Sequence, residues 1–291
     1  MPEVASGGST VAHLLREGAA ALAAAHVATP DLDARILLAE ALQIGTSVLL
    51  ASRERAVDPH TRTQFNEWID RRAAGEPVFR IVGRRDFYGH EFRLSAGTLE
   101  PRPDTETIVD VALEILRARS GEGSLRILDI GTGSGAIALA ILAEVPDATA
   151  IATDISEDAL QTSCLNSRLL GVEDRFVAVR TEYAAGISGP LDLLVSNPPY
   201  IPSGEIVSLS KEVQNFDPLL ALDGGADGLD AYRAIAGAAP GLLAPHGAIV
   251  VEIGIGQEAD VTLIFEARGF ALVEARKDLA GIVRSLHFRW R

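Results

Sequence analysis

From residue 103 onward the chain alternates short, almost wholly apolar runs with stretches of helical periodicity, and this alternation restricts the fold more than any other feature. The runs cover 125–130, 149–153, 176–179, 191–195, 248–253 and 270–274. A strand that is hydrophobic on both faces has to be covered on both, which crossover helices on a parallel sheet achieve. The pattern therefore predicts an α/β, Rossmann-like, mostly parallel sheet over residues 104–291. No repeat or low-complexity tract interrupts it.

The first 77 residues read differently. Val11, Leu14, Leu15, Gly18 and Leu22 recur at helical spacing behind Ser9 or Thr10 as N-cap. Leu32, Ile36, Leu37 and Leu42 follow Pro30 and stop at Gly45, and Asp58-Pro59 opens a third helix bearing Phe65, Trp68, Ile69 and Arg72. Asp58 suits an N-cap and Pro59 the first helical position, where its missing N–H costs nothing. Residues 1–77 are thus expected to form a helical bundle. His13, His26 and His60 have no metal-like spacing and are expected as surface or helix-packing residues. Residues 78–103 turn to β-prone and aromatic side chains, Val78, Phe79, Ile81 and Val82, then Phe87, Tyr88, Phe92 and Leu94. They predict a β-hairpin linking the two domains, with its turn at Tyr88-Gly89-His90-Glu91.

The first strand of the sheet runs into Asp129-Ile130-Gly131-Thr132-Gly133-Ser134-Gly135, and a helix follows over 136–142. Glycine at alternate positions lets the backbone turn sharply and approach a ligand. Such a turn alone also serves close strand-to-helix packing. Asp154, at the end of the second strand, adds a carboxylate placed to accept from both hydroxyls of a ribose, and the two together predict a nucleoside site. The dinucleotide pattern Gly-x-Gly-x-x-Gly is not met, and no Lys follows the glycines as a triphosphate loop requires.

The acid-glycine turn resembles motif I of the class I S-adenosylmethionine methyltransferases. The resemblance implies S-adenosylmethionine as cofactor and S-adenosylhomocysteine as product, with Gly131, Thr132, Gly133, Ser134, Gly135, Asp154, Tyr183 and Asn197 as its contacts. It brings Asp129 close to the methionine end of the cofactor, although capping the turn is an equal role for that carboxylate. Thr181-Glu182-Tyr183 stands where such enzymes hold the adenine, and the Tyr183 ring either stacks on it or packs the loop.

The fourth strand opens directly into Asn197-Pro198-Pro199-Tyr200. Ligands of open α/β sheets bind beyond the carboxyl ends of the strands, so this loop and the glycine turn should share one crevice. An amide nitrogen is a poor nucleophile, because its lone pair is delocalised, and has to be oriented in line with the bond that breaks. The Asn197 side-chain oxygen and the Pro198 carbonyl can each accept from a target NH₂ and favour positive charge developing on it. Both prolines lack an N–H and stiffen the loop, leaving carbonyls free, and Tyr200 offers a flat wall. Asn197, Pro198 and Tyr200 are the candidate catalytic residues, and Asn197, Pro198, Pro199 and Tyr200 the candidate substrate site, for methylation of a planar amide or amine nitrogen.

Beyond the tetrapeptide, Glu100-Pro101-Arg102-Pro103-Asp104-Thr105-Glu106 is similar to the Pro-Arg-Pro-(Asp/Glu)-Thr-Glu signature of the HemK/PrmC family. Residues 77–83 and 87–89, 212–218, 221–225, 227–229 and 277–281 also resemble segments of that family, so the likeness covers nearly the whole chain. It implies a class I methyltransferase sheet, mostly parallel with one reversed strand, an N-terminal α-helical bundle and a joining β-hairpin. It further implies methylation of the glutamine in the Gly-Gly-Gln loop of class-1 peptide chain release factors, supporting translation termination, with the bundle helping to dock them. Arg102, Thr105 and Glu106 match the signature and would shape the entrance. Glu182 stands where the family usually carries Asp, and Glu252 matches a family position without an assigned role.

Composition narrows the rest. Forty acidic residues against 26 basic ones give a formal net charge of −14, a field that repels a phosphate backbone. The connection from Ile201 to Leu229 carries only Lys211 among basic residues, which offers no grip on a duplex. A nucleic-acid exocyclic-amine methyltransferase, which the tetrapeptide also suits, is therefore the rival enzyme reading, and no direct nucleic-acid contact is expected. A rival of another kind is a catalytically silent module that binds release factors, against which the intact Asn197 and glycine turn speak. The single Cys164 excludes an internal disulfide and a thiolate zinc site, and no metal is expected. Neither a leader pattern over 1–10 nor a run of eighteen apolar residues occurs, so no membrane association and a cytoplasmic location are expected.

Overall fold

The computed structural model describes residues 9–119, 121 and 123–291; the stretch 1–8, in which no leader pattern is read, lies outside them. The chain divides into two compact units, Met1–Gly83 and Arg84–Arg291.

The first unit is helical: α1 (Val11–Ala24), α2 (Pro30–Ala41), α3 (Thr46–Ala51), α4 (Pro59–Ala73) and α5 (Val78–Val82). Thr10 caps α1 and Asp58 caps α4, each accepting from the backbone N–H three residues on. Val11, Leu14 and Leu22 meet Leu37, Leu38, Phe65 and Ile69 in one core. Gly18 lies against α4: a Cβ there would stand 2.7 Å from Phe65 Cζ, so the close approach of these helices excludes any side chain. A buried ion pair, Arg72 Nε to Asp33 Oδ2 at 2.6 Å, ties α4 to α2. The expected strand over Val78, Phe79, Ile81 and Val82 is instead α5, and the bundle extends past residue 77 to Gly83. Pro77 opens the helix, left-handed Gly83 closes it, and Val78 and Ile81, three apart, share its buried face.

The second unit begins with the hairpin β1 (Arg84–Phe87) and β2 (His90–Arg93), with Tyr88-Gly89 in its turn. It continues through α6 (Glu106–Arg117), β3 (Leu125–Ile130), α7 (Ala136–Glu144), β4 (Ala148–Asp154), α8 (Glu157–Leu169), β5 (Phe176–Arg180) and β6 (Leu191–Ser196). After α9 (Lys211–Phe216) and α10 (Asp230–Ala238) come β7 (Leu243–Glu252), α11 (Glu258–Glu266), β8 (Phe270–Lys277) and β9 (Val283–Trp290). The seven strands of the main sheet lie in the order β5-β4-β3-β6-β7-β9-β8. Only β9 runs against the others, antiparallel to both β7 and β8. Alternate residues serve opposite faces: Ile127, Leu193, Val195 and Val250 join α6 and α7, while Leu128, Leu194, Ile249 and Val251 join α10 and α11. Both faces are covered, as the apolar runs require.

Chain order reverses between β3 and β6, which are neighbours in register, Ile130 opposite Ser196. This switch point is where an open α/β sheet leaves a crevice at its carboxyl edge.

Within β9, His287 is 5% exposed and its Nε2 finds no partner among the described residues. Burial, aided by the charge of Arg289, pushes its imidazole down to about 4. Below about pH 6.5 the unfolded chain takes up a proton that the native one refuses, so this group lowers stability as the pH falls. Between about pH 7 and about pH 4.5 the wild type should lose on the order of 2 kcal/mol more than His287→Leu, read from denaturant unfolding. The buried carboxyls Asp129 and Glu252 are raised and act in the opposite sense, but cancel in this difference. Equal pH slopes in the two proteins would refute the assignment.

Candidate active site

The glycine turn leaves β3 with Gly131, Gly133 and Gly135 all at positive φ, a conformation that L side chains rarely adopt. A Cβ on Gly135 would strike Leu139 and Ser163, whereas the space over Gly131 and Gly133 is open. Thr153 O accepts from the N–H groups of Gly131 and Thr132, both at 2.9 Å. Asp154 Oδ2 accepts from Gly133 N and Oδ1 from Ser156 N, each at 2.9 Å. Its carboxylate thus clasps the turn while facing the crevice. Asp129, whose role was open between cofactor contact and cap, is fully buried beneath the turn, where Thr132 Oγ1 donates to Oδ2 at 2.7 Å. Desolvation raises its carboxyl to about 7. Asn166 of α8 was not singled out from the sequence; its amide donates to Ser134 O at 2.8 Å and exchanges bonds with the Arg93 backbone, tying the turn to the hairpin.

The tetrapeptide leaves β6 beside this turn, and Ser196 Oγ stitches the two strand ends by donating to Ile130 O at 2.7 Å. Behind it, Ile201 N bonds Leu222 O at 3.0 Å, and Gln257 Nε2 donates to Tyr200 O at 3.0 Å. A Cβ on Gly224 would stand 2.8 Å from Pro199 O, which explains a glycine in the 221–225 segment. Between Pro202 and Leu222 the chain runs through short helical turns, Ser203–Ser208, Lys211–Phe216 and Leu219–Ala221, that bury no residue.

Asn197 Nδ2 donates to Thr105 Oγ1 at 3.1 Å. Thr105 in turn lies beside Glu252, which is 2% exposed and raised by desolvation to about 7, with the Thr105 hydroxyl opposing that shift. Tyr200, expected as a flat wall, is partly buried against the core cluster of α10 and α11, with its hydroxyl 3.4 Å from Glu252 Oε1. Burial pushes that phenol up to about 12, so it acts as a donor. The 100–106 segment is braced from several sides. Glu106 Oε1 accepts from Tyr88 N at 2.8 Å, Arg85 pairs with Glu100 at 2.9 Å, and Arg284 Nη2 holds Asp104 at 3.0 Å. Arg284 is itself held by Asp278 Oδ2 at 3.1 Å, and the N–H groups of Ala280 and Ile282 fix Asp278, giving the 277–281 loop a purpose.

These parts enclose a cavity of about 610 Å³. Gly131, Thr132, Gly133, Ser134, Asp154, Tyr183, Asn197, Pro198 and Pro199 line it; Gly135 and Tyr200 do not. Tyr183 reaches it from a left-handed residue (φ 49°) whose carbonyl accepts from Thr153 Oγ1 at 2.7 Å. Glu100, Asp154, Glu182, Asp223 and Asp230 face Arg102 alone among cationic groups in the lining, so the cavity favours positive charge. Among the described residues no cluster suited to a metal ion occurs, and no helix is long and apolar enough to cross a membrane.

A family model described as PrmC N-terminal domain matches residues 13–83, and one described as Methyltransferase small domain matches residues 106–212. A release factor glutamine methyltransferase of Bradyrhizobium diazoefficiens is 47% identical, spanning 97% of this chain and 95% of that protein. One of Agrobacterium fabrum is 46% identical, spanning 97% of this chain and 98% of that protein. Of solved structures, the hMettl16 catalytic domain in complex with MAT2A 3'UTR hairpin 6 superposes with a TM-score of 0.57 at 14% identity, covering 77% of this chain and 82% of that one, a likeness of fold alone. Identity of this extent along nearly the full length, together with both family models, shows that the chain belongs to the release factor glutamine methyltransferase family.

Proposed function

We propose that this protein transfers a methyl group from S-adenosylmethionine to the side-chain amide nitrogen of the glutamine in the Gly-Gly-Gln loop of class-1 peptide chain release factors, in the cytoplasm. The observation that carries the reading is the state of Asn197. Its Nδ2 is engaged by Thr105, so Oδ1 is the end left for the cavity, an acceptor where a substrate amide must donate.

The cavity residues fit the cofactor. The open space over Gly131 and Gly133 admits it against the backbone, the remaining lone pairs of Asp154 suit two ribose hydroxyls, and the acid-rich lining suits a sulfonium. When bound, S-adenosylmethionine supplies an electrophilic methyl on positively charged sulfur. Asn197 Oδ1 and the Pro198 carbonyl accept from the two hydrogens of the glutamine NH₂, fixing its plane and turning its lone pair to the methyl. As nitrogen gains the new bond it becomes positive, both hydrogen bonds strengthen, and the barrier falls because they are stronger in the transition state than before it. One proton then leaves to solvent, and no strong base is needed. Tyr183 borders the adenine region and Tyr200 supports the loop from behind.

Incubation with methyl-labelled cofactor and either a release factor or DNA, followed by mass spectrometric mapping, tests the reading. Label is expected on the glutamine of the release-factor loop. Label on DNA, or on neither polymer, would overturn it.

A further inference from the structure

An Asn side chain has nearly the same shape with its amide turned either way, yet only one orientation offers an acceptor to the cavity. Three groups decide between the two. Glu252, at the end of β7, is buried; its Oε1 accepts from Tyr200 Oη, while its Oε2 meets no hydrogen-bond partner among the described residues. Thr105 lies beside that carboxylate and favours its charged form, the sense of a hydroxyl donating to it; with its one proton so directed, Thr105 Oγ1 can only accept, and what it accepts is Asn197 Nδ2. Thr105 is itself 4% exposed and immediately precedes α6.

We propose that Thr105 and Glu252 are positioning residues that set the orientation of the Asn197 amide, so that the site takes a nitrogen bearing hydrogens and rejects an acceptor atom in its place. This rests on the reading that the substrate is a primary amide. Were the direction of these bonds reversed, Thr105 would donate to Asn197 Oδ1, and the Asn197 NH₂ would confront the substrate NH₂, donor against donor.

The test compares Thr105→Val, which keeps the shape and removes the hydroxyl, with Thr105→Ser, which keeps the hydroxyl. Steady-state methylation of a release factor, cofactor calorimetry and hydrogen exchange of the ¹⁵N-labelled Asn197 side-chain amide are the readouts. Thr105→Val should lower kcat by about tenfold or more, leave cofactor affinity unchanged and speed exchange of the Asn197 NH₂; Thr105→Ser should restore both kcat and slow exchange. Glu252→Gln, whose amide can donate to Thr105, should also lower kcat and speed exchange. If valine supports turnover and slow exchange while serine does not, Thr105 is a packing residue and the proposal falls; it falls equally if Thr105→Val and Glu252→Gln both behave as wild type. Should the wild type label no release factor, the functional reading fails, while the exchange comparison still decides this one.

Discussion

Asn197→Ala is expected to lower the methylation rate of a release factor by roughly a hundredfold, the usual cost of removing one pre-aligned hydrogen-bonding group from a transition-state site. The substitution removes the tetrapeptide's side-chain amide oxygen from the cavity and leaves Thr105 without its donor. The loop should survive, because its course is fixed by other groups: Ser196 bonds Ile130, Ile201 bonds Leu222, and Gln257 bonds Tyr200. The loss should therefore fall on kcat, with little change in KM for the protein substrate. Steady-state kinetics decide the matter; near-normal turnover would show that Asn197 is not the orienting acceptor.

The second large effect is expected at Asp154. Its two oxygens already receive Gly133 N and Ser156 N, and each keeps a lone pair for a ribose hydroxyl. Asp154→Ala would delete the charge-assisted bonds proposed to the ribose and leave the N–H groups of Gly133 and Ser156 without their clasp. Cofactor affinity should fall about 10- to 100-fold, as expected for hydrogen bonds to a charged group. Asp154→Asn should also weaken binding, because one of its two ends becomes a donor opposed to a backbone N–H. Calorimetric titration with cofactor reads both variants, and an unchanged Kd in Asp154→Ala would contradict the ribose assignment.

What could be read from the sequence was what is local. Leu125, Ile127, Leu128 and Ile130 make the β3 run largely apolar, and the strand covers the same residues, 125–130. β9 gave no such run, since Arg284, Ser285, His287 and Arg289 interrupt it; its place in the sheet comes from the pairing with β7 and β8. Val78, Phe79, Ile81 and Val82 favour a strand by composition, yet the Pro77 and Gly83 boundaries and the burial of Val78 and Ile81 make a helical turn. The glycine turn, Asp154 and the tetrapeptide are contiguous or strand-end signals, and the cavity gathers most of them. The contact that gives Asn197 its orientation joins residues 92 apart, and nothing in the spacing of Thr105 announces it.

The short helical turns after the tetrapeptide bury nothing, whereas α7, behind the glycine turn, is buried from Ala136 to Leu142. Segments without buried apolar contacts open at small free-energy cost, while those in the core open only with the whole domain. Amide protons of 203–221 should accordingly exchange early and those of α7 last. One rim of the crevice can then remould itself around a bulky incoming polypeptide, while the shelf beneath the cofactor keeps its shape through the encounter.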